Sequence, residues 1–523
     1  MFITPRPLKT ELLTGQFMLD EHCTVFCSDN LSQSVRYFTD TVRQYTGIEL
    51  TFVDKLDDAV VYFTAPQLYN MREDEYVIAC ADGKLGVNAL TDTSCFYAVQ
   101  SLLMMFDIFT YTEGSQLTCR HCFVTDRPKH GYRALHLDIA RHFYGVDTIK
   151  KIVELMSSLK LNYLHLHLSD DQGFRVQIDK YPLVNKISSW RNGTEIRDGD
   201  VRIDEEVYGG YLTKQEVKNL VQYARSLHVE IVPELDLPGH MVSLLAAYPQ
   251  YSCVGEGIEV RKKWGISKDL LCAGNDETYT FICDILDELV ELFPCQYFHL
   301  GGDEAPKDRW CNCKKCIAKL QQLHLDSFDE LQTYMFNYFA EYLRNKGKTV
   351  IGWNDGFTSS THPETVCHHW APKTDGKTRR MINNGRKTIM SPFFTMYFDY
   401  PYAMTPLKKT YRYNPEKGVR KHAVCNILGV EGTLWTEHIR NTDKLFFNLL
   451  PRLAALSECA WGTNRHYVDF KKRLEGLEKI WEKQGLTYNH NATARMCLLK
   501  RLKTTSVFFK KDANTELNKL NKK

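Results

Sequence analysis

The sequence lacks several features that would point to a membrane or a charged partner. It has no apolar run of transmembrane length, and its start, MFITPRPLKTELLTGQF, lacks the basic and apolar regions of a secretory signal. It also lacks a charge imbalance, because 66 Lys and Arg residues against 64 Asp and Glu leave a formal net charge of +2. We therefore expect no nucleic-acid or membrane partner, a neutral substrate and a cytoplasmic location, while a secreted location stays open.

The cysteines do not form the pattern of a disulfide-stapled protein. There are 17 of them, an odd number, and they are scattered over 523 residues. This usage favours reduced thiols. Glycosylation triplets at Asn30, Asn192 and Asn491 would matter only in a secreted protein, and such triplets often arise by chance.

Length and composition indicate a globular protein with more than one folded unit. Hydrophobic residues make up 43% of the chain and charged residues 25%, which is ordinary for globular domains. Because 523 residues exceed one ordinary core, we predict an N-terminal α/β accessory domain, a catalytic domain and a C-terminal extension, over residues 1–127, 128–484 and 485–523. Within the extension, the Lys-rich stretch after Lys500 is typical of a solvated end.

The fold class follows from the order of predicted elements. The first 127 residues alternate β-rich runs (24–28, 58–63, 75–80 and 84–90) with helical stretches. After Asp126-Arg127-Pro128 the chain repeats strand-then-helix units, which favours parallel strands joined by right-handed crossovers. Eight such strands predict a (β/α)₈ barrel, at 133–138, 162–168, 228–235, 296–302, 348–353, 365–370, 388–392 and 427–435.

Polar and aromatic residues collect where these strands end, which is where barrel active sites lie. The most informative run is HLGGDE at 299–304, in which Asp303 and Glu304 follow two glycines. Neighbouring side chains of a regular strand point to opposite faces, so both carboxylates can serve one site only where the strand turns into its loop. A bare Asp-Glu pair could instead be a helix cap beside an exposed glutamate.

The surrounding motifs decide between a catalytic pair and a helix cap. The run 299–304 resembles the signature of glycoside hydrolase family 20, the β-N-acetylhexosaminidases. Further motifs follow in the family's order over about residues 128–484: GYR (131–133) with LDIARHF (137–143), HLHLSDDQ (165–172), PELDLPGH (233–240), GW (352–353), HW (369–370), YFD (397–399) and EGTLWTE (431–437). The N-terminal part looks like the family's accessory domain.

The resemblance implies a substrate-assisted reaction, in which the sugar's own 2-acetamido group replaces a protein nucleophile. It implies that Glu304 is the general acid and then the general base, and a neighbouring carboxylate would raise its pKa in the required direction. Asp303 would accept a hydrogen bond from the acetamido N–H, and Tyr397 would donate one to the acetamido oxygen. The implied activity is exo-acting and retaining, on terminal β-linked GlcNAc and also GalNAc.

The resemblance also implies a set of substrate-binding residues. Arg141 would grip the 3- and 4-hydroxyls, a task that suits a planar fork of donors. Glu437 and Asp399 would bind other hydroxyls of the terminal sugar, which closes the pocket around it. Aromatic walls and supporting polar groups complete the set: Trp353, Trp370, Trp435, Asp170 and His240. Asp170 and His240 could equally be satisfied buried groups.

Several alternatives stay open. CNCKKC at 311–316 and CRHC at 119–122 have spacings that could bind zinc, but the implied mechanism uses no metal, so we predict neither a metal nor a cofactor. Asn354 stands where the family often has an acid, and Leu166 where a tryptophan is common. A disaccharide-releasing enzyme of the lacto-N-biosidase kind and a silent sugar-binding module are the competing functions. A homodimer is compatible with the sequence.

Overall fold

The computed structural model describes residues 3–65, 71–197, 201–462, 465–494 and 498–512. The N-terminal part contains a seven-stranded mixed sheet in the order β1-β7-β5-β6-β4-β2-β3. Its elements are β1 (Lys9–Leu19), β2 (Thr24–Cys27), α1 (Ser32–Thr46), β3 (Thr51–Phe52), β4 (Val61–Thr64), β5 (Tyr76–Ala81), β6 (Lys84–Ala89), α2 (Asp92–Met105) and β7 (Leu117–Asp126).

Four strands of this sheet were predicted, but the two longest were not. β1 and β7 pair with each other antiparallel at the sheet's edge. β1 is exposed along most of its length and therefore carries no apolar run for sequence analysis to detect. One of the expected helical stretches, the apolar run from Thr93, lies in α2, which is buried along almost its whole length.

Helix α2 is buried on all sides because it lies between the sheet and the barrel. The ring of Tyr97 packs 5.0 Å from Trp461, and the Tyr97 hydroxyl accepts a hydrogen bond from the buried guanidinium of Arg133 at 2.7 Å. Nearby, the ammonium of Lys160 pairs with Asp126 at 3.2 Å in full burial. A buried charge that loses its partner is strongly destabilising, so the Lys160–Asp126 pair favours the arrangement in which the two parts stay in contact.

The second part is a closed barrel in the order β16-β17-β18-β19-β20-β21-β8-β9, with parallel pairing throughout. All eight predicted barrel strands are confirmed. The barrel strands are β8 (Tyr132–Asp138), β9 (Tyr163–His167), β16 (Glu230–Glu234), β17 (Tyr297–His299), β18 (Thr349–Trp353), β19 (Val366–His369), β20 (Thr388–Met390) and β21 (Ile427–Leu434). Between β9 and β16 lie short strands that form two-stranded antiparallel sheets: β10 (Ser169–Asp170) with β11 (Gly173–Phe174), β12 (Trp190–Asn192) with β15 (Val207–Gly209), and β13 (Glu195–Arg197) with β14 (Val201–Ile203).

Amphipathic helices surround the barrel and several begin at capping residues. In α4, Thr213 and Glu216 form a reciprocal capping box that satisfies two free backbone donors. The helices are α3 (Gly145–Ser158), α4 (Lys214–Ser226), α5 (Val242–Ala247), α6 (Asp276–Leu292), α7 (Asp308–Asn312), α8 (Lys314–Gln322), α9 (Phe328–Asn345), α10 (Asp375–Asn383), α11 (Phe393–Met396), α12 (Leu407–Tyr411), α13 (Thr442–Leu449), α14 (Arg452–Trp461), α15 (Tyr467–Lys483) and α16 (Leu498–Asp512).

The C-terminal region differs from the sequence-based expectation. A solvated tail was predicted after Lys500, yet the chain forms α16 there, and Arg501 donates a hydrogen bond to the carbonyl of Ala403 at 3.0 Å. The rest of that tail, 513–523, lies outside the described residues. Among the helices of the described ranges, none has the length and apolar composition needed to cross a membrane.

Candidate active site

A cavity of about 560 Å³ opens at the carboxyl ends of the barrel strands. Nine of the eleven predicted site residues line it: Arg141, His240, Asp303, Glu304, Trp370, Tyr397, Asp399, Trp435 and Glu437. They come from the loops after six different strands, so only the closed barrel brings them together.

The loop after β17 places Asp303 and Glu304 in the cavity. Gly301 has a φ of 61°, and a Cβ added there would lie 1.7 Å from the Asp236 carboxylate, so only glycine fits. The next amide, that of Gly302, donates to Asp236 at 2.9 Å and fixes the turn. Glu304 itself has a φ of 46°, a left-handed conformation that is costly for a side chain and concentrates at functional sites.

Glu304 has the surroundings that a general acid requires. Its side chain is 32% exposed, and one carboxylate oxygen lies 3.8 Å from Nε2 of His240. Its backbone N–H donates to the carboxylate of Asp355 at 3.2 Å. Burial, together with the negative charge of Asp355, raises the pKa of Glu304 above its usual value, although His240 opposes the shift. The carboxyl therefore keeps its proton to a higher pH than an exposed glutamate does.

Asp303 lies beside it with its carboxyl buried. One oxygen is 3.9 Å from Nε2 of His240, and the carboxyl is within hydrogen-bonding reach of that of Asp236. Burial and then the charge of Asp236 raise the pKa of Asp303 well above its usual range. A ligand that brings an N–H donor and positive charge to Asp303 would stabilise the ionised form of this carboxyl.

Tyr397 and two tryptophans form an aromatic wall. Burial and the negative charge of Asp303 raise the pKa of Tyr397 well above its usual value, so its hydroxyl stays protonated and can donate. Trp370 packs with its ring 6.3 Å from that of Tyr397, and its indole N–H donates to Asp355 at 2.7 Å. Trp435 completes the wall at the end of β21.

Arg141 is held firmly in the wall by partners on three sides. Its guanidinium donates to Asp170 at 2.7 Å, to Gln172 at 3.2 Å and to Asp138 at 3.4 Å. It also lies over the Trp435 ring, 5.0 Å from the centroid, in a cation–π contact. A planar donor fixed in this way is pre-organised for a pair of hydroxyls.

Two acids, Asp399 and Glu437, occupy another part of the wall. Burial, and next the charge of Glu437, raise the pKa of Asp399 well above its usual range. As far as the described residues extend, Oδ1 of Asp399 is buried without a hydrogen-bond partner. Asp399 can therefore make a new hydrogen bond to a polar ligand, and Glu437 lines the same cavity.

The two remaining predicted residues, Asp170 and Trp353, lie behind the cavity wall. Asp170 joins Arg141 to Nε2 of His167 (2.7 Å) and Nδ1 of His240 (3.2 Å). Trp353 is 1% exposed and donates from Nε1 to the buried carboxylate of Glu234 at 2.8 Å. These contacts position neighbouring residues of the wall, and the substrate contacts expected for Asp170 and Trp353 stay a prediction.

Sequence reasoning missed several residues in or beside the cavity, because no motif marks them. Asp355 lies beside the cavity: the family often has an acid at 354, but the carboxylate that contacts Glu304 and Trp370 stands one residue later. Asn354 instead accepts the backbone N–H of Trp370 at 2.9 Å. The missed residues that line the cavity are Arg197, Trp264, Gly265, Ile266, Phe393, Tyr400, His438 and Phe508.

The fold and the site together define a class of protein. A carboxyl with a raised pKa next to a second acid supplies the acid needed to cleave a glycosidic bond, and a cavity walled by tryptophans and a fixed arginine suits a sugar. This is a barrel-type glycoside hydrolase.

The family follows from comparison with known proteins. Residues 130–464 match the model for the glycosyl hydrolase family 20 catalytic domain, and residues 1–127 match the model for domain 2 of that family. The chain belongs to glycosyl hydrolase family 20.

Curated relatives and solved structures agree with this assignment. A β-hexosaminidase of Porphyromonas gingivalis is 29% identical over 93% of the chain, which spans 64% of that protein. One of Akkermansia muciniphila is 32% identical over 67% of the chain and 73% of its own length. The structure of a Vibrio harveyi exo-β-N-acetylglucosaminidase with N-acetylglucosamine has a TM-score of 0.83 at 25% identity, covering 93% of this chain and 78% of that one.

Proposed function

We propose that the protein is an exo-acting, retaining β-N-acetylhexosaminidase that removes terminal non-reducing β-linked GlcNAc from oligosaccharides or glycoconjugates, and β-GalNAc as a second substrate. The observation that carries this proposal is the pair Asp303 and Glu304 on the cavity wall. Glu304 is an acid that keeps its proton, and Asp303 is a buried carboxyl whose ionised form an N–H donor and positive charge on the substrate would stabilise.

The proposed first step forms an oxazolinium ion. Glu304 gives its proton to the glycosidic oxygen, the bond from that oxygen to the anomeric carbon breaks, and the acetamido oxygen attacks the same carbon from the opposite face. Asp303 accepts the acetamido N–H and stabilises the positive charge, while Tyr397 donates to the acetamido oxygen.

In the proposed second step, Glu304, now a carboxylate, takes a proton from water, which attacks the anomeric carbon and reopens the ring. Two inversions give net retention. Arg141, Asp399 and Glu437 hold the hydroxyls of the terminal sugar, and the tryptophans pack against its apolar faces. Because these groups surround one end of the sugar, cleavage is proposed to release a monosaccharide.

The test is to identify the sugar released. We expect aryl β-GlcNAc to give free GlcNAc in the β form first, followed by mutarotation, when monitored by NMR. An aryl glycoside of a disaccharide such as lacto-N-biose should be inert. Release of an intact disaccharide would instead favour the disaccharide-releasing function, and no turnover of either would favour a silent sugar-binding module.

The second prediction concerns pH. Since Glu304 must be protonated to act, activity is present below its pKa and is lost as pH rises through it. The negative charges of Asp355 and Glu437 raise that pKa. The positive charges of His240 and Arg141 lower it. Asp355→Asn should therefore move the alkaline limb of kcat/KM to lower pH, and His240→Gln to higher pH, each by about one unit.

Opposite shifts in these two variants provide the control, because general damage to the cavity would not move the limb in two directions. Both profiles should be measured with the same aryl substrate. If the alkaline limb of kcat/KM is unchanged in both variants, or shifts in the same direction in both, Glu304 is not the group whose ionisation sets that limb.

Other features are proposed on the sequence alone. They are the residue ranges of the three parts, the lack of a nucleic-acid or membrane partner, homodimerisation and a cytoplasmic location.

A further inference from the structure

Four cysteines that are far apart in sequence meet beside the active-site loops. The sulfur atoms of Cys253, Cys272, Cys313 and Cys316 all lie within 4.8 Å of one another. The Sγ–Sγ distances are 3.7 Å from Cys253 to Cys316, 3.8 Å from Cys272 to Cys313 and 3.6 Å from Cys272 to Cys316. Cys272 and Cys316 are buried, and the other two are partly exposed.

These distances fit a metal better than disulfides. A disulfide requires sulfurs about 2.0 Å apart, and all four cysteines are free thiols. A tetrahedral zinc ion with Zn–S bonds of about 2.3 Å places its sulfurs about 3.8 Å apart. The three measured separations lie within 0.2 Å of that spacing.

The backbone also suits thiolate ligands. Cys313 is the N-cap residue of α8 and Cys316 lies in its first turn, where free backbone N–H groups and the helix dipole stabilise negative charge. The spacing of two residues between them is typical of one half of a zinc site. Cys253 and Cys272 supply the other half from a single long loop after α5.

We propose that Cys253, Cys272, Cys313 and Cys316 bind a structural zinc ion in a closed, four-thiolate site. The sequence pointed to a candidate set that included Cys311, but that residue is exposed and is not one of the four. The second candidate set, at 119–122, separates in the fold: Cys119 lies 3.6 Å from the sulfur of Cys80, and His121 contacts the carbonyl of Thr14.

The proposed zinc would tie together two loops that build the cavity. The loop carrying Cys253 and Cys272 also carries Trp264 and Ile266, which line the cavity. The chain carrying Cys313 and Cys316 follows directly after Asp303 and Glu304. The site has four protein ligands, so it leaves no position for substrate, and its role would be to hold the wall.

The contacts around the cluster already join the same two segments. The buried indole of Trp310 donates to the carbonyl of Leu271 at 2.9 Å. A Cβ at Gly274 would lie 2.1 Å from the backbone of Lys315, so the loop passes directly over the start of α8. A metal at this junction would hold together two segments whose backbones already lie close to each other.

The test is metal analysis of the full chain. The protein is incubated under reducing conditions with one equivalent of Zn²⁺, freed of excess metal by gel filtration and analysed for zinc and iron. We expect one zinc per chain in the wild type and in Cys311→Ser, the exposed neighbour. Cys313→Ser should lose zinc almost completely, whereas Cys313→His should keep it, because histidine can replace one thiolate.

A second readout separates metal binding from folding. Cys313→Ser should unfold at a lower temperature than Cys313→His, and added zinc should raise the midpoint only of the variant that binds it. A folded wild-type protein without zinc would overturn the proposal. So would iron in place of zinc, retention of zinc in Cys313→Ser, or an intact mass lower by the four hydrogens that two disulfides remove. None of these outcomes depends on glycosidase activity.

Discussion

Replacing Glu304 with glutamine should lower kcat/KM for oligosaccharide substrates by about 10² to 10⁴, because general acid–base assistance is typically worth that much. Glutamine keeps the size and the hydrogen-bonding reach of the side chain but cannot give a proton to the leaving oxygen. The side chain is 32% exposed at the cavity, so the substitution should leave the fold and ligand binding largely intact.

The leaving group provides the internal control for this variant. A glycoside with a strongly acidic phenol needs little protonation, so its bond cleavage should suffer much less than that of an oligosaccharide. Glu21→Gln, an exposed site on the N-terminal part, is the matched control and should behave as wild type. A Glu304→Gln enzyme within a few fold of wild type on oligosaccharides would remove Glu304 from the acid role.

Much of the barrel could be predicted because its strands are buried on both faces. Each appears in the sequence as a short apolar run between helical segments, and the parallel direction of the strands then follows from the helical crossovers that join them. The N-terminal sheet was harder to predict. Its edge strand β1 is mostly exposed, so its position is set by pairing with β7 rather than by any apolar pattern.

The active site, like the fold, could be predicted from the sequence only in part. Residues in the loops that follow barrel strands, such as Glu304 and Tyr397, were found by their motifs and line the cavity. Asp355 was not found because it stands one residue after the position where the family often has an acid. Phe508 was not found because it comes from a helix in a stretch that the sequence predicted to be a solvated end. The cysteine cluster was found only in part, because Cys253 and Cys272 precede Cys313 by 60 and 41 positions, and only the fold brings them close.

The largest effect should come from the substrate rather than from a mutation. If the 2-acetamido oxygen is the nucleophile, a sugar with a hydroxyl at that position loses the attacking group altogether. An intramolecular nucleophile held in position has an effective concentration of about 10⁵ M or more, which bulk water cannot replace. The sugar also loses its hydrogen bonds to Asp303 and Tyr397, so the buried Asp303 carboxyl lacks the donor that would stabilise its charge.

The most direct measurement compares kcat/KM for two aryl β-glycosides, one of GlcNAc and one of glucose, with the same leaving group at the same pH. Substrate-assisted catalysis predicts that the glucoside is turned over at least ~10⁴-fold less well. A glucoside hydrolysed within tenfold of the GlcNAc substrate, or a sugar trapped covalently on a carboxylate of the protein, would contradict the proposed mechanism.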